Sequence, residues 1–168
     1  MSNFHSIEAF VNPHDIAETL TTQYHPFGTR IKAKDLATTA YGQGEFIYLK
    51  GASSTVVGSV VVINPDDFTT TLASANAIGA LAVSMSINNT TSNYGWYQIY
   101  GKGVAKVLSG FADNGNCYLT STAGSIDDTD VAGDYITGMK GASAIDTPST
   151  GLAEVELSYP FVRDGLDD

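Results

Sequence analysis

Cysteine and tryptophan each occur once in this 168-residue chain, and lysine and arginine together only eight times. Each scarcity closes off a class of protein. A lone Cys117 can form neither an intrachain disulfide nor a multi-cysteine metal site. A chain of this kind working outside a cell needs another stabilising device, and oligomerisation is one. Eighteen acidic residues against eight basic ones leave a net charge of −10. Such a chain repels a nucleic-acid backbone unless its cations are clustered, and no cluster is visible. No stretch approaches the roughly 20 apolar residues of a membrane span, and the opening Met-Ser-Asn-Phe-His-Ser-Ile-Glu has no basic segment leading into an apolar one. The expectation is a soluble protein made in the cytoplasm, with no nucleic-acid and no membrane partner.

What is present favours strands. The chain is 43% hydrophobic and only 15% charged, carries 17 glycines, and has runs of Thr, Ser and Asn, which suit many short strands better than helices rich in Glu, Lys and Leu. Its length is that of one domain.

The first 29 residues read as an extended N-terminal arm. They hold all three histidines (His5, His14, His25), Pro13 and Pro26, and the spaced apolar anchors Phe4, Ile7, Phe10, Val11, Tyr24 and Phe27, without sustained alternation. Asn12-Pro13-His14-Asp15 resembles a helix start, so a short helix is predicted over 13–23. Residues 30–163 form the β-domain, and 164–168 an acidic tail expected to fray.

Within the domain, strand signals alternate with turn signals. "GEFIYLKG" ends at Gly51, "VVGSVVVI" reads as a strand buried on both faces, and Asn64-Pro65-Asp66-Asp67 makes a turn. Strand is favoured over Phe68 to Leu72, with "TLASANAIGA" also readable as a short helix closed by Gly79. "LAVSMSIN" puts Leu81, Val83, Met85 and Ile87 on one face and Ala82, Ser84, Ser86 and Asn88 on the other, wet or tightly packed. A polar loop follows, and "NYGWYQIYGKGVAKV" returns as the hairpin partner. Further strands are predicted at "NCYLTST", weakly at "YITGMKGASAI", and at "LAEVELSYPFV". In the last, Ala153, Val155, Leu157, Tyr159 and Phe161 are expected to face inward, with Pro160 near an edge or strand end. Seven to nine short antiparallel strands imply an all-β sandwich or barrel.

The hairpin partner concentrates rings. Period-2 sorting places Tyr94, Trp96, Gln98 and Tyr100 on one face and Tyr97 and Ile99 on the other. A bulge at Gly101-Lys102-Gly103 would shift the register beyond Tyr100. Tyr94, Trp96 and Tyr100 have three readings: packing against a second sheet or the arm, anchoring a subunit or partner interface, or forming a sugar-stacking platform.

Catalytic patterns are weak. Ser84 lacks the glycines of a nucleophile elbow, the histidines sit in the least regular segment, and Cys117 reads as a half-buried thiol. Asp127, Asp128, Asp130 and Asp134 lack EF-hand spacing and read as a solvated acidic loop before they read as a cation site. Gly42-Gln43-Gly44 and Gly101-Lys102-Gly103 complete no phosphate-binding pattern and read as turns or bulges. No catalytic, cofactor-binding or metal residue is assigned, and no cofactor is expected.

"GEFIYLKGAS", "ANAIGALAVSMSINNTTSNYGWYQIYGKGVAKV" and "AEVELSYPFV" together resemble the head decoration, or cement, proteins of tailed bacteriophages. The resemblance covers roughly Gly44 to Val162. It implies a β-barrel or sandwich that binds the outer surface of the expanded capsid, with the major capsid protein as partner. It also implies a homo-oligomer, trimer favoured over dimer, that adds mechanical stability and performs no catalysis. The interface candidates are then Phe4, Ile7, Phe10, Val11, Tyr24, Phe27, Tyr94, Trp96 and Tyr100. A tail adhesin or carbohydrate-binding module is the alternative from another class, and a metal-dependent hydrolase built on the Asp127–Asp134 loop is a third.

Overall fold

The structure, a computed structural model, describes residues 4–8 and 14–163. Its described residues form eleven strands and no helix. In chain order these are β1 (Phe4–Ser6), β2 (Arg30–Asp35), β3 (Gln43–Lys50), β4 (Val60–Ile63), β5 (Thr70–Leu72), β6 (Gly79–Ser84), β7 (Tyr94–Lys106), β8 (Asn116–Leu119), β9 (Ile126–Asp127), β10 (Tyr135–Gly141) and β11 (Leu152–Val162). Every strand pair is antiparallel. The order is β1-β2-β3-β7-β6-β11-β10-β8-β9, with β4 and β5 branching from β6.

Two long strands turn this into a sandwich. The first half of β7 pairs with β3 over Tyr94–Tyr100, and its second half pairs with β11 over Tyr100–Lys106. Beyond Ser158, β11 leaves β7 and pairs with the start of β6 and with β10. Strands that change partners along their length fold a sheet back on itself, and here the sheet stays open rather than closing into a barrel. β7 contributes to three apolar cores. The first contains Val60, Leu81, Val83, Ala105, Cys117 and Val155, and the second contains Ile47, Leu49, Val61, Tyr97 and Ile99. The third contains Phe4, Ile16, Leu20, Ile31, Phe46, Tyr48 and Trp96.

The predicted helix over 13–23 is not found. Pro13 lies outside the described residues, and from His14 onward the chain makes turns and then a bridge. His14 has φ +56°, outside the helical region. The Asp15 carboxylate accepts the Ala17 N–H at 2.9 Å, closing one turn. Leu20 then exchanges two backbone hydrogen bonds with Tyr94, at 2.9 and 2.8 Å. Pairing with the β7 edge wins over a local helix, while Ile16 and Leu20 still bury their side chains in the third core.

The "TLASANAIGA" segment is strand, then turn, then strand. The Ala73 N–H donates to Val60 O and the Ala75 N–H to Thr120 O, and Asn76, at φ +64°, donates its N–H to Asp134 Oδ1 at 2.6 Å. Neighbouring strands take the groups that a helix would need. In "LAVSMSIN" the alternation breaks after Ser84. Ser84, Ser86 and Asn88 are buried while Ile87 is half exposed, so the small polar face is tightly packed rather than wet. Gly95 makes this fit, because a Cβ there would come within 2.5 Å of Asn88 Nδ2.

Two bulges differ from expectation. On β7 the extra residue lies between Gln98 and Tyr100, opposite Phe46 and Glu45, just before the Gly-Lys-Gly run. The buried Gln98 side chain donates from Nε2 to Tyr100 O at 3.1 Å and Lys102 O at 3.0 Å, satisfying carbonyls at this irregularity. On β11, Leu157 faces Met139 and Phe161 faces Thr137, so two extra residues intervene. Tyr159 there has φ +52°. The inward series thus ends at Leu157: Tyr159 and Phe161 turn outward, and Pro160 and Val162 are buried instead. Pro160 lies two residues from the end of β11, as expected, within a bulge that requires no ladder bond from it.

Candidate functional surface

The predicted interface residues divide between two environments. Trp96 is fully buried (0% exposed), with ring centroids 5.1 Å from Tyr48 and 5.3 Å from His25. Phe27 stacks 5.8 Å from Tyr94 and 6.3 Å from Tyr48. Phe4 meets Phe46 edge-on at 4.8 Å and Tyr41 at 6.4 Å. Phe4, Phe27, Tyr94 and Trp96 therefore belong to one aromatic core, in which arm segments cover the strand face. Tyr24 is more than half exposed, with His14 4.2 Å away, and Ile7 is half exposed. Phe10 and Val11 lie outside the described residues.

Tyr100 is not part of that core. It is 46% exposed and opens onto a groove of about 590 Å³ across β7, β11, β10 and β8. Tyr135, Met139, Gly138, Leu157 and Ser158 also line it. Along the floor the register sets Lys102 opposite Glu156, Glu156 opposite Lys140, and Lys140 opposite Asn116. One polar residue from each of four strands thus forms a row. Lys102 Nζ also lies 2.6 Å from Glu154 Oε2 and 5.7 Å from the Tyr41 ring centre.

Neighbouring groups orient the rings around the groove. Tyr159 lies 5.4 Å from Tyr100, and its hydroxyl donates to Glu45 Oε2 at 2.7 Å. That acceptor carboxylate, with some burial, holds the Tyr159 phenol above its ordinary pKa. Tyr135 leans on Tyr118 at 5.6 Å. Sequence reasoning found Tyr100 but missed Tyr135 and Tyr159. Tyr135 lay in a strand of weak signal, and Tyr159 was sorted inward because the β11 bulge has no signature in the alternation.

The candidate chemical groups point elsewhere. Asp134 is buried and accepts the Asn76 N–H, and Asp128 Oδ2 accepts the Ala112 N–H at 2.9 Å. These carboxylates fasten loops instead of converging, and no group of three His, Cys, Asp or Glu suited to a metal ion occurs among the described residues. Cys117 is wholly buried, not half-buried, and burial with the nearby Asp128 charge pushes its thiol up to about 12. Gly42 sits in the turn before β3, and Gly101 and Gly103 lie inside β7. Neither pair opens a helix. No protein-family model matches the chain, and no curated protein matches it significantly.

Proposed function

We propose that this protein is a non-enzymatic structural component of a virion, a decoration protein that attaches to the outer surface of a phage capsid and stabilises it. The observation that supports this most is the position of the arm. β1 is the terminal strand of an open sheet, only three residues long, paired on one side with β2. Phe4 anchors it between Tyr41 and Phe46, and exposed Ile7 and Leu36 flank it. The unpaired side of an edge strand offers backbone N–H and C=O groups to a strand from another subunit, and such pairing is a recurrent mode of protein attachment. Copies arrayed on a shell gain avidity from many modest contacts. The acidic charge suits a site outside the shell rather than against packaged DNA.

The test is addition of purified protein to shells that lack it. Stoichiometric binding and greater heat resistance of the shells are expected, and removal of residues 1–8 should weaken both. Removal of residues 1–28 is a poorer test, because it also takes Ile16 and Leu20 out of the core. Absence of binding together with unchanged heat resistance would remove the proposal.

A further inference from the structure

We propose that the tyrosine-lined groove across β7, β11, β10 and β8 binds a short stretch of uncharged oligosaccharide. This goes beyond capsid attachment and does not rest on it. The walls are Tyr100, 46% exposed, and Tyr135, 41% exposed. An aromatic face exposed beside polar groups stacks against the C–H face of a sugar ring while its hydroxyl remains wet. Both rings are held in place before any ligand arrives, Tyr100 by Tyr159 with its bond to Glu45, and Tyr135 by Tyr118. Such preorganisation lowers the entropic cost of binding.

Spacing selects a chain rather than a single sugar. Tyr100 on β7 and Tyr135 on β10 are separated by β11 and are out of register along the strands, so at least two strand spacings, about 10 Å, lie between them. One pyranose cannot stack on both, whereas two or three linked units can. The groove volume of about 590 Å³ falls in the range of small-ligand sites, about 300–1,000 Å³. A protein partner would want a broader, flatter contact, about 800 Å² on each side.

The floor supplies what hydroxyl groups need and sets the ligand's charge. Lys102, Lys140 and Asn116 donate, and Glu156 and Asn116 accept. Lys102 and Lys140 are offset by Glu154 and Glu156, so the groove is charge-balanced in a protein of net charge −10. The overall field disfavours an anionic glycan, and a cationic one would meet two lysines. A neutral sugar hydrogen-bonds to this row without breaking the Lys102–Glu154 ion pair.

The test is titration of the isotopically labelled full-length protein with maltotriose, cellotriose and triacetylchitotriose, followed by amide NMR. The expected result is saturable shifts for at least one sugar, centred on Lys102, Asn116, Tyr135 and Lys140. Tyr100→Ala or Tyr135→Ala should weaken that binding about tenfold, the worth of one stacking contact, with unchanged thermal unfolding. Lys140→Ala, which removes no ring, should weaken it less. Absence of shifts with all three sugars at millimolar concentration, or binding that survives both tyrosine variants, would overturn the proposal. Concentration-dependent self-association lost in those variants, without sugar binding, would overturn it in favour of a subunit interface. Tyr135→Ala should still add to shells, so a failure here and a failure of capsid attachment are told apart.

Discussion

Trp96 and Tyr100 lie four residues apart on one strand, yet Trp96 is completely enclosed and Tyr100 is nearly half exposed. Strict alternation puts both, with Tyr94, on one side of β7, but the extra residue between Gln98 and Tyr100 turns Tyr100 to the face of Glu45, away from Phe46 and Trp96. The two faces are covered differently. Leu20 pairs with Tyr94 and brings the arm over the first half of the strand, where Phe27, His25 and Tyr48 close around the rings. The cover ends by Gln98, and the second half presents Tyr100 and Lys102 to the groove. Period-2 patterning assigns a side chain to a face, and distant segments decide whether that face is a core or a surface.

The comparison can be broken at the covered end. Trp96→Ala leaves a large cavity in the aromatic core and is expected to cost about 3–5 kcal/mol by denaturant unfolding. A loss under 1 kcal/mol would mean that the arm does not close over this ring in solution. Leu20→Ala removes an apolar anchor of the cover and should cost about 2–3 kcal/mol, toward the low side for buried leucine, because an arm can settle into the space. Limited proteolysis should then cut first within residues 14–29.

At the boundary between the halves, Gly101 has φ +95° and its missing Cβ faces the carbonyl of Gln43. Gly101→Ala should therefore cost about 1–3 kcal/mol through strain, measurable as a lower unfolding midpoint. Alkaline pH probes the core around Cys117. The folded Cys117 thiol titrates at about 12 against an ordinary value of 9.0, so folding favours the protonated form. That stabilisation is complete below about pH 9 and is lost as pH rises toward 12, about 1 kcal/mol at pH 10. Cys117→Ala should remove this component of the pH dependence, and thiol alkylation at pH 8 should require unfolding. Tyr100→Ala is expected to change stability least, within about 0.5 kcal/mol, although it abuts Tyr159.

The all-β class, the β6–β7 hairpin and most strand positions were legible in the sequence, because turn residues and alternation mark them locally. The aromatic row on β7 was legible as a row. Its division into a core and a groove was not, since that depends on the bulge that turns Tyr100 over and on the pairing of Leu20 with Tyr94 across more than seventy residues. The helix expected over 13–23 failed for the same reason: Asp15 and the spacing of Ile16 and Leu20 look helical locally, and a distant strand edge takes the backbone. Tyr159 was misplaced because the chain turns over at this residue, φ +52°, inside the β11 bulge, and a bulge is visible only against its partner strand. The polar row of Lys102, Glu156, Lys140 and Asn116 was hidden similarly, as four residues from four strands meet only through register.

The proposed role is tested most directly by sedimentation of capsids from any phage found to encode this chain, prepared without it and then mixed with the purified protein. The account predicts a saturable gain in shell mass that corresponds to a fixed number of copies, with density on the outer surface when the particles are imaged. Shells that sediment unchanged in excess protein would contradict it.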